Sequence, residues 1–182
     1  MWIILVVVIV VIAVPVLIYN SLISLRNRVR NAWSQIDVQL KRRYDLIPNL
    51  IETCKGYMRY EKEVLESVTK ARTQAINTSG TAEAKAKAEN TLSQTLRSLF
   101  AVAESYPDLK ANQNMLSLQE ELTATENKIS FARQHYNDQV MRLNTTIEKF
   151  PQNIIASMFS FKKEEFFKTE EPEEKQPIKV KF

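Results

Sequence analysis

Side chains that could carry acid–base or metal chemistry are few in this sequence and stand apart. The sole histidine, His135, has Asp138 one helical turn later, but neither a second histidine nor a cysteine cluster accompanies it. Metal sites in helical bundles need several ligands from facing helices, often as Glu-x-x-His pairs. We therefore expect no metal site, and we interpret His135 as a polar residue on a helix surface.

The carboxylates likewise lack the arrangement that general acid–base catalysis needs. Glu120, Glu121 and Glu126 form the densest group, but adjacent helical residues point about 100° apart, so the group is typical of a solvated face. The sequence contains no Gly-x-x-x-x-Gly-Lys phosphate loop, no Gly-x-Ser-x-Gly elbow and no dinucleotide-binding fingerprint. These observations predict a protein with no catalytic activity and no cofactor.

The most distinctive element of the chain is its apolar start. Residues 1–19, MWIILVVVIVVIAVPVLIY, carry no charged side chain. A helix from Trp2 to Tyr19 is about 26 Å long at a rise of ~1.5 Å per residue, close to the ~30 Å hydrocarbon core of a bilayer. Trp2 and Tyr19 stand at its two ends, where aromatic rings prefer the membrane interface. Residues 1–20 are therefore predicted to form a single-pass transmembrane anchor.

The flanking residues bear on the fate and orientation of this anchor. A cleaved secretory signal, the alternative interpretation, has basic residues before its apolar run and a small-residue cleavage site after it, and this sequence shows neither. The basic residues come after the run instead, as Arg26, Arg28 and Arg30. These three are expected at the lipid headgroups, and the positive-inside rule places the body of the protein in the cytoplasm.

Composition limits the structures and partners open to the rest of the chain. About 160 residues remain after the anchor, which suits one domain with its own core. Only two glycines occur, and strict alternation of apolar and polar residues is scarce, which favours helices over sheets. The net charge of +4 is modest and lies largely beside the membrane, so no nucleic-acid partner is expected. The single cysteine, Cys54, excludes an intramolecular disulfide.

Apolar periodicity predicts about four long helices. The first continues from the anchor and breaks at Pro48, the second stops in residues 77–80, and the third is interrupted at Pro107. The fourth starts near Asp108 and carries a coiled-coil-like seam at intervals of seven, made of Met115, Leu122, Ile129, Tyr136, Leu143 and Phe150. The predicted fold is all-α, with a transmembrane helix continuing into an up-and-down antiparallel bundle over residues 21–161.

A basic cluster of Lys41, Arg42 and Arg43 is a candidate partner-binding site. One interpretation is structural, with these side chains paired to nearby acids that include Asp45 and Glu52. The alternative is recognition of an acidic partner or of lipid headgroups. On a straight helix Lys41 lies about 33 Å beyond the membrane edge at ~1.5 Å per residue, far outside a Debye length of ~8 Å. A protein partner or a second copy is therefore favoured over lipid.

Aromatic residues outside the seam each allow two interpretations. Trp33 has helical spacing to its apolar neighbours and is expected to pack inside the bundle; if exposed, it would be an interface anchor. The charged segment of residues 162–182 is predicted to be a flexible tail. Its Phe166 and Phe167 are a candidate docking point on a membrane or a partner, unless they pack on the end of the bundle.

Four stretches of this sequence strongly resemble the LemA family. They are NAWSQIDVQLKRRYDLIPNL (31–50), AESYPDLKAN (103–112), LQEELTATENKI (118–129) and YNDQV (136–140). The resemblance extends over nearly the whole chain up to Phe161, and it implies a bacterial membrane protein with a helical bundle and no established biochemical activity. One branch of the family is associated with magnetosome membranes, which makes membrane organisation a relevant analogy. Tyr60 stands where the family pattern has a histidine, so no histidine-based role is carried over.

These observations lead to one leading hypothesis and one principal alternative. The leading hypothesis is a self-associating scaffold, anchored in the bacterial inner (cytoplasmic) membrane, that organises lipid or protein partners and forms a homo-oligomer. The alternative is an adaptor or sensor subunit that binds another membrane protein, such as a protease or a transporter. An enzyme or metal protein is the third possibility, and it would need a site that leaves no local signature in the sequence.

Overall fold

The computed structural model describes residues 1–168, and over that range the chain is all-α, as predicted. These residues form six helices and no β-strand. In chain order the helices are α1 (Trp2–Lys55), α2 (Lys62–Asn77), α3 (Ala82–Ala103), α4 (Pro107–Lys110), α5 (Gln113–Glu148) and α6 (Gln152–Met158).

Helix α1 joins the apolar start to the body of the protein without interruption. It is 54 residues long, and its N-terminal part is long and apolar enough to cross a membrane. That part is not buried within the protein. Its apolar surface is therefore available to be covered by lipid, which fits a membrane anchor.

The predicted break at Pro48 is wrong, because α1 continues through this residue. Proline lacks the N–H that would donate to the carbonyl four residues earlier, here that of Tyr44. The Nε–H of Arg72 donates to the Tyr44 carbonyl instead, at 2.8 Å. Ile47 and Leu50, on either side of the proline, are fully buried. Packing and the substitute hydrogen bond thus offset the ~3 kcal/mol that a proline costs inside a helix.

The described residues divide into two compact units. The first unit contains residues 1–41 and 125–166, and so comprises most of α1, the C-terminal part of α5, and α6. The second unit contains residues 42–124 with Phe167 and Lys168, and so comprises the end of α1, helices α2 to α4, and the start of α5.

In the first unit, α1 and α5 run antiparallel. The Trp33 ring on α1 packs against the Tyr136 ring on α5, with centroids 5.3 Å apart, as predicted, although Trp33 is half-buried and not fully enclosed. Nearer to the apolar start, Leu22 is buried beside Ile155 of α6, and Ile147 of α5 packs against them. Earlier residues of α1 therefore meet later residues of α5.

In the second unit, α2 and α3 form a helical hairpin. Their connection includes Gly80, whose φ of +115° favours glycine. Thr81 then caps α3 by accepting a hydrogen bond from the backbone N–H of Ala84. The Nζ of Lys85 donates to the Ala75 carbonyl at 2.7 Å, which joins the start of α3 to the last turns of α2.

The fourth long helix begins later than predicted. Asp108 lies in the short helix α4, and α5 begins only at Gln113. The Oδ1 atom of Asn112 accepts hydrogen bonds from the backbone N–H groups of Asn114 and Met115 at 2.9 and 3.1 Å. Asn112 therefore supplies the N-terminal cap of this helix, in place of the predicted Asp108.

The predicted seam of α5 is buried except at its last member. The buried members are Met115, Leu122, Ile129, Tyr136 and Leu143. Phe150 is instead 79% exposed, because α5 ends at Glu148 and Phe150 lies beyond it. Thr125 and Gln139 are buried as well, so the seam is a mixed one.

Residues 162–166 lie against α5, which differs from the expectation of a flexible tail from residue 162 onward. The side-chain amide of Asn144 both donates to the Glu164 carbonyl and accepts from the Glu164 N–H, each at 2.9 Å. The Tyr136 hydroxyl donates to the Glu165 carbonyl at 2.9 Å. These hydrogen bonds give the segment backbone partners that its composition does not reveal. Residues 169–182 of the predicted tail lie outside the described residues.

Candidate functional site

Arg43 is predicted on a partner-binding surface, but it is only 1% exposed and forms part of the core of the second unit. Its guanidinium is ion-paired and hydrogen-bonded to the fully buried Glu89 carboxylate, and its NH1 group donates to Ser93 Oγ at 2.9 Å. A buried guanidinium requires such partners, because leaving it unpaired is costly. Arg43 therefore does not belong to a binding surface.

Glu89 is the centre of this buried cluster. The Tyr44 hydroxyl also donates to its carboxylate, and Lys85 Nζ lies 3.6 Å from Glu89 Oε1 and 5.5 Å from the centroid of the Tyr44 ring. One carboxylate thus contacts two cations and a phenol. The signal for this cluster was in the sequence, since Glu89 falls on the apolar stripe of α3 between Ala86 and Leu92.

Lys41 and Arg42 are exposed, unlike Arg43. Arg42 NH2 lies 3.8 Å from Glu121 Oε2, and both side chains are about half exposed, so this pair contributes little to stability. Glu52 lies 3.3 Å from Lys55. Arg42 and Arg43 are thus paired with acids, as in the structural interpretation of the basic cluster. These acids are Glu121 and Glu89 on other helices, and not the expected Asp45 and Glu52.

Among residues 1–168, no three histidine, cysteine, aspartate or glutamate side chains converge on a point that could hold a metal ion. The one cysteine in this range is also shielded. Burial raises the pKa of the Cys54 thiol to about 11, so the thiol is protonated at neutral pH and is a weak nucleophile.

The residues predicted to lie at the membrane boundary take different positions in the first unit. Trp2, Arg28 and Arg30 are exposed, which a contact with lipid requires. Tyr19 and Arg26 are half-buried. The Arg26 guanidinium lies over the Phe161 ring at 5.2 Å from its centroid, which is the geometry of a cation–π contact.

The aromatic pair of the predicted tail is split. Phe166 is exposed, whereas Phe167 is buried. Phe167 is therefore not available as the candidate docking point, and its ring packs inside, as in the alternative interpretation. Burial and, to a lesser extent, the nearby charges of Glu164 and Glu165 raise the pKa of Tyr136 to about 12. The Tyr136 hydroxyl is therefore protonated at neutral pH and can donate its hydrogen bond to the Glu165 carbonyl.

The first unit carries an apolar groove on its α1–α5 surface, which the sequence did not predict. We name it the α1–α5 groove. Its volume is about 530 Å³, and its lining residues are Gln35, Val38, Gln39, Lys128, Phe131, Ala132 and His135. Phe131 is 72% exposed and Val38 is 64% exposed. The available signal was a phenylalanine on the outer face of a helix, two residues after the seam position Ile129.

His135 lines this groove and lies on an exposed helix surface, as predicted. Its lining combines apolar and polar side chains, and Lys128 supplies a cation while none of its lining residues is acidic. Exposed apolar surface next to polar groups is typical of a protein-binding surface. The groove is therefore the candidate functional site of the first unit.

Comparison with known proteins places the chain in a family. The LemA family model matches residues 32–182. Protein LemA of Metamycoplasma hominis is 27% identical over 137 residues, which cover 75% of this chain and 63% of that protein. Magnetosome protein MamQ 2 of Paramagnetospirillum magneticum is 23% identical, with 88% of this chain and 68% of that protein covered. Magnetosome protein MamQ of Magnetospirillum gryphiswaldense is 20% identical, with 82% and 64% covered.

The chain thus spans about two thirds of the length of these relatives. The family match covers the body of the protein, including the two long stretches of α1 and α5 that line the α1–α5 groove. This agrees with the resemblance noted in the sequence, and the chain belongs to the LemA family.

Proposed function

We propose that this protein is a self-associating scaffold, anchored by α1 in the bacterial inner membrane, with its body on the cytoplasmic side and no catalytic activity. The observation that carries the proposal is the α1–α5 groove, in which Phe131 and Val38 expose apolar surface on the helix pair that begins at the membrane. Contiguous exposed apolar surface is typical of an interaction site.

Membrane anchoring favours pairing of this groove with itself. All copies would enter the bilayer in the same direction, so their grooves lie at the same height above it. A two-fold axis along the membrane normal then brings Phe131 of one copy to Phe131 of the next, as an isologous interface requires. Confinement to the membrane also raises the effective concentration of one copy around another.

The continuity of α1 connects such pairing to the membrane. Val38 and the apolar start lie on one uninterrupted helix, so copies that pair through the groove would also draw their anchors together. The exposed Arg28 and Arg30 would face anionic headgroups, at roughly 1 kcal/mol for each basic residue. Basic residues that come after the span support the cytoplasmic placement of the body.

A second candidate function is an adaptor or sensor subunit that binds another membrane protein, such as a protease or transporter. One observation favours it. The α1–α5 groove contains Lys128 and His135 but no acidic lining residue, and Lys41 is exposed on the same unit. A partner with an acidic rim would complement this charge better than a second copy would.

Mass photometry of the full-length protein in detergent and in lipid nanodiscs tests the leading proposal. We expect an oligomer for the unchanged protein, and monomers for Phe131→Glu. Leu116→Glu is the matched control, because Leu116 is also an exposed apolar residue of α5 but lies outside the groove. A uniformly monomeric unchanged protein in both media would refute self-association and favour the adaptor.

The orientation has its own test. Asn31 is exposed just beyond the basic residues, and the native Cys54 is buried. Labelling of Asn31→Cys with a maleimide therefore reports mainly on the thiol at position 31. We expect a membrane-impermeant maleimide to label it only after the cells are opened. Labelling in intact cells would place the body outside the cytoplasm.

A further inference from the structure

The chain reverses direction after α5, and the reversal exposes large apolar side chains. We name the four residues Phe150, Ile154, Met158 and Phe159 the turnaround patch. Phe150 is 79% and Met158 is 69% exposed. A surface turn is ordinarily polar, because its side chains face water. Four exposed apolar residues in one reversal therefore indicate that something other than water covers them.

The reversal lies beside the end of the apolar start of α1. Ile155 and Ala156 of α6 are buried against Leu22, and Tyr19 packs on the same cluster. The ring centroid of Phe159 is only 4.6 Å from that of Tyr19. Tyr19 is the last residue of the predicted membrane-spanning run, and the polar Asn20 follows it. With α1 anchored as proposed, helix α6 therefore lies at the level where α1 leaves the hydrocarbon core.

The two sides of α6 differ in what covers them. Ile155 and Ala156 face the protein, whereas Ile154 and Met158, which are four residues apart and share a face, are exposed. The apolar side that the protein leaves open is continued by Phe150 before the helix and Phe159 after it.

The charged side chains next to this apolar surface are mostly basic. Lys149 and Lys162 are exposed on the two sides of the reversal, and Arg26 lies over Phe161 next to it. The acidic Glu148 is also exposed there, but it is paired with Lys163. Apolar side chains with a basic border are the composition of segments that lie in the interface of an anionic membrane. The position beside the anchor and this border both match the bilayer.

We propose that the turnaround patch inserts into the surface of the bilayer that holds α1, which gives the protein a second membrane contact beside its anchor. The proposal rests on the proposed anchoring of α1 and is independent of self-association. A single helix leaves the body free to tilt and rotate about the anchor. A second contact fixes which side of the α1–α5 pair faces the membrane, and so presents the α1–α5 groove at a defined height.

Spin-label depth measurements on the full-length protein test this. Labels are attached to Met158→Cys and, as a control, to Gln134→Cys, an exposed position about 21 Å further along α5 from Glu148 at ~1.5 Å per residue. The protein is placed in vesicles of phosphatidylcholine and phosphatidylglycerol. We expect the Met158 label to be reached by oxygen and shielded from a water-soluble nickel complex, at a depth of about 5–10 Å. The Gln134 label should be open to the nickel complex.

A third label, at Val8→Cys, separates the two ideas. If the Val8 label is embedded in lipid but the Met158 label is as accessible to the nickel complex as the Gln134 label, the second contact is overturned and the anchor is kept. A water-exposed Val8 label would overturn the anchor itself. The Met158 label could also be shielded from both oxygen and the nickel complex and show spin–spin broadening that disappears when unlabelled protein is added. That result would show that a second copy covers the turnaround patch, and it would also overturn the proposal.

Discussion

The most completely buried ion pair of this protein lies in one unit, and the apolar groove between α1 and α5 lies in the other. The contrast is one of degree, since Arg133 of the first unit is 7% exposed and Tyr60 of the second unit is 93% exposed. The second unit buries charge, with Glu89 fully enclosed by Arg43, Lys85 and the Tyr44 hydroxyl. The first unit exposes apolar rings, of which Phe131 is the most prominent outside the region of the anchor and the turnaround patch. A charge that is already paired inside is not available to a partner, whereas an uncovered ring is. We therefore assign the Glu89 cluster to folding, and the proposed binding role falls to the exposed apolar surface.

Substitution of Glu89 should produce the largest loss. Glu89→Ala leaves the buried Arg43 and the nearby Lys85 without their shared carboxylate, so we expect the free energy of unfolding to fall by ~3–5 kcal/mol. Circular dichroism during denaturant unfolding in detergent measures this change. Glu83→Ala on the same helix is the matched control, because Glu83 is exposed and its pair with Lys168 is solvent-screened. Equal losses in the two variants would contradict the account of the cluster.

Truncation of Phe131 should act on association and leave folding intact. Phe131→Ser removes the most exposed ring of the α1–α5 groove, and central aromatic residues of interfaces cost about 2 kcal/mol or more when truncated, roughly a thirtyfold weakening. Dissociation measured by dilution in mass photometry should show the shift, with the unfolding midpoint unchanged. A lowered midpoint with unchanged association would assign Phe131 to the fold.

The alkaline pH dependence of stability should carry a smaller contribution from Tyr136. Its pKa is raised to about 12 in the folded protein, above the ordinary value of 10.0, so the unfolded chain releases this proton at a lower pH than the folded protein. The stabilising contribution is therefore complete below about pH 10 and is lost as the pH rises towards 12, by about 1 kcal/mol near pH 11 and by at most about 3 kcal/mol at higher pH. Tyr136→Phe should flatten stability in this window. An unchanged slope, followed with tyrosinate absorbance, would contradict the shift.

The smallest effect is expected at Asn144. Asn144→Ala removes both hydrogen bonds to Glu164, which are exposed to solvent and so contribute only about 0.5 kcal/mol each, and should loosen residues 162–166 locally. Hydrogen exchange at the Glu164 amide should accelerate, while Asn127→Ala, an exposed position on the same helix, leaves it unchanged. Equal exchange rates in both variants would show that other contacts hold the segment.

The elements that could be predicted from the sequence are those with a local signature. The uncharged run before Arg26 predicts the apolar start, and heptad spacing from Met115 to Leu143 predicts the buried side of α5. The failures depended on contacts between distant residues. Pro48 does not break α1, because Arg72 supplies the missing donor from another helix. Arg43 pairs with Glu89, 46 positions away, and no spacing rule finds such a partner.

The candidate site was missed for a related reason. Heptad spacing identifies the residues that a helix buries, and Phe131 and Val38 do not belong to that spacing. Their large exposed surfaces become evident only when the buried residues of the structure are known. Phe150 illustrates the same point, since it fits the seam by spacing but lies beyond the end of α5. The exposure of a ring depends on whether side chains from other parts of the chain cover it, and only the three-dimensional structure shows this.

Oxidative crosslinking in native membranes tests most directly whether exposed apolar surface in the first unit serves binding. Val38→Cys places a thiol in the α1–α5 groove, at a position that a two-fold axis brings close to its own copy, while the native Cys54 is buried. Ser98→Cys, exposed on α3 of the second unit, is the control. We predict a covalent dimer through Val38→Cys and none through Ser98→Cys. No dimer at Val38→Cys, or equal dimer yields at the two positions, would contradict the account.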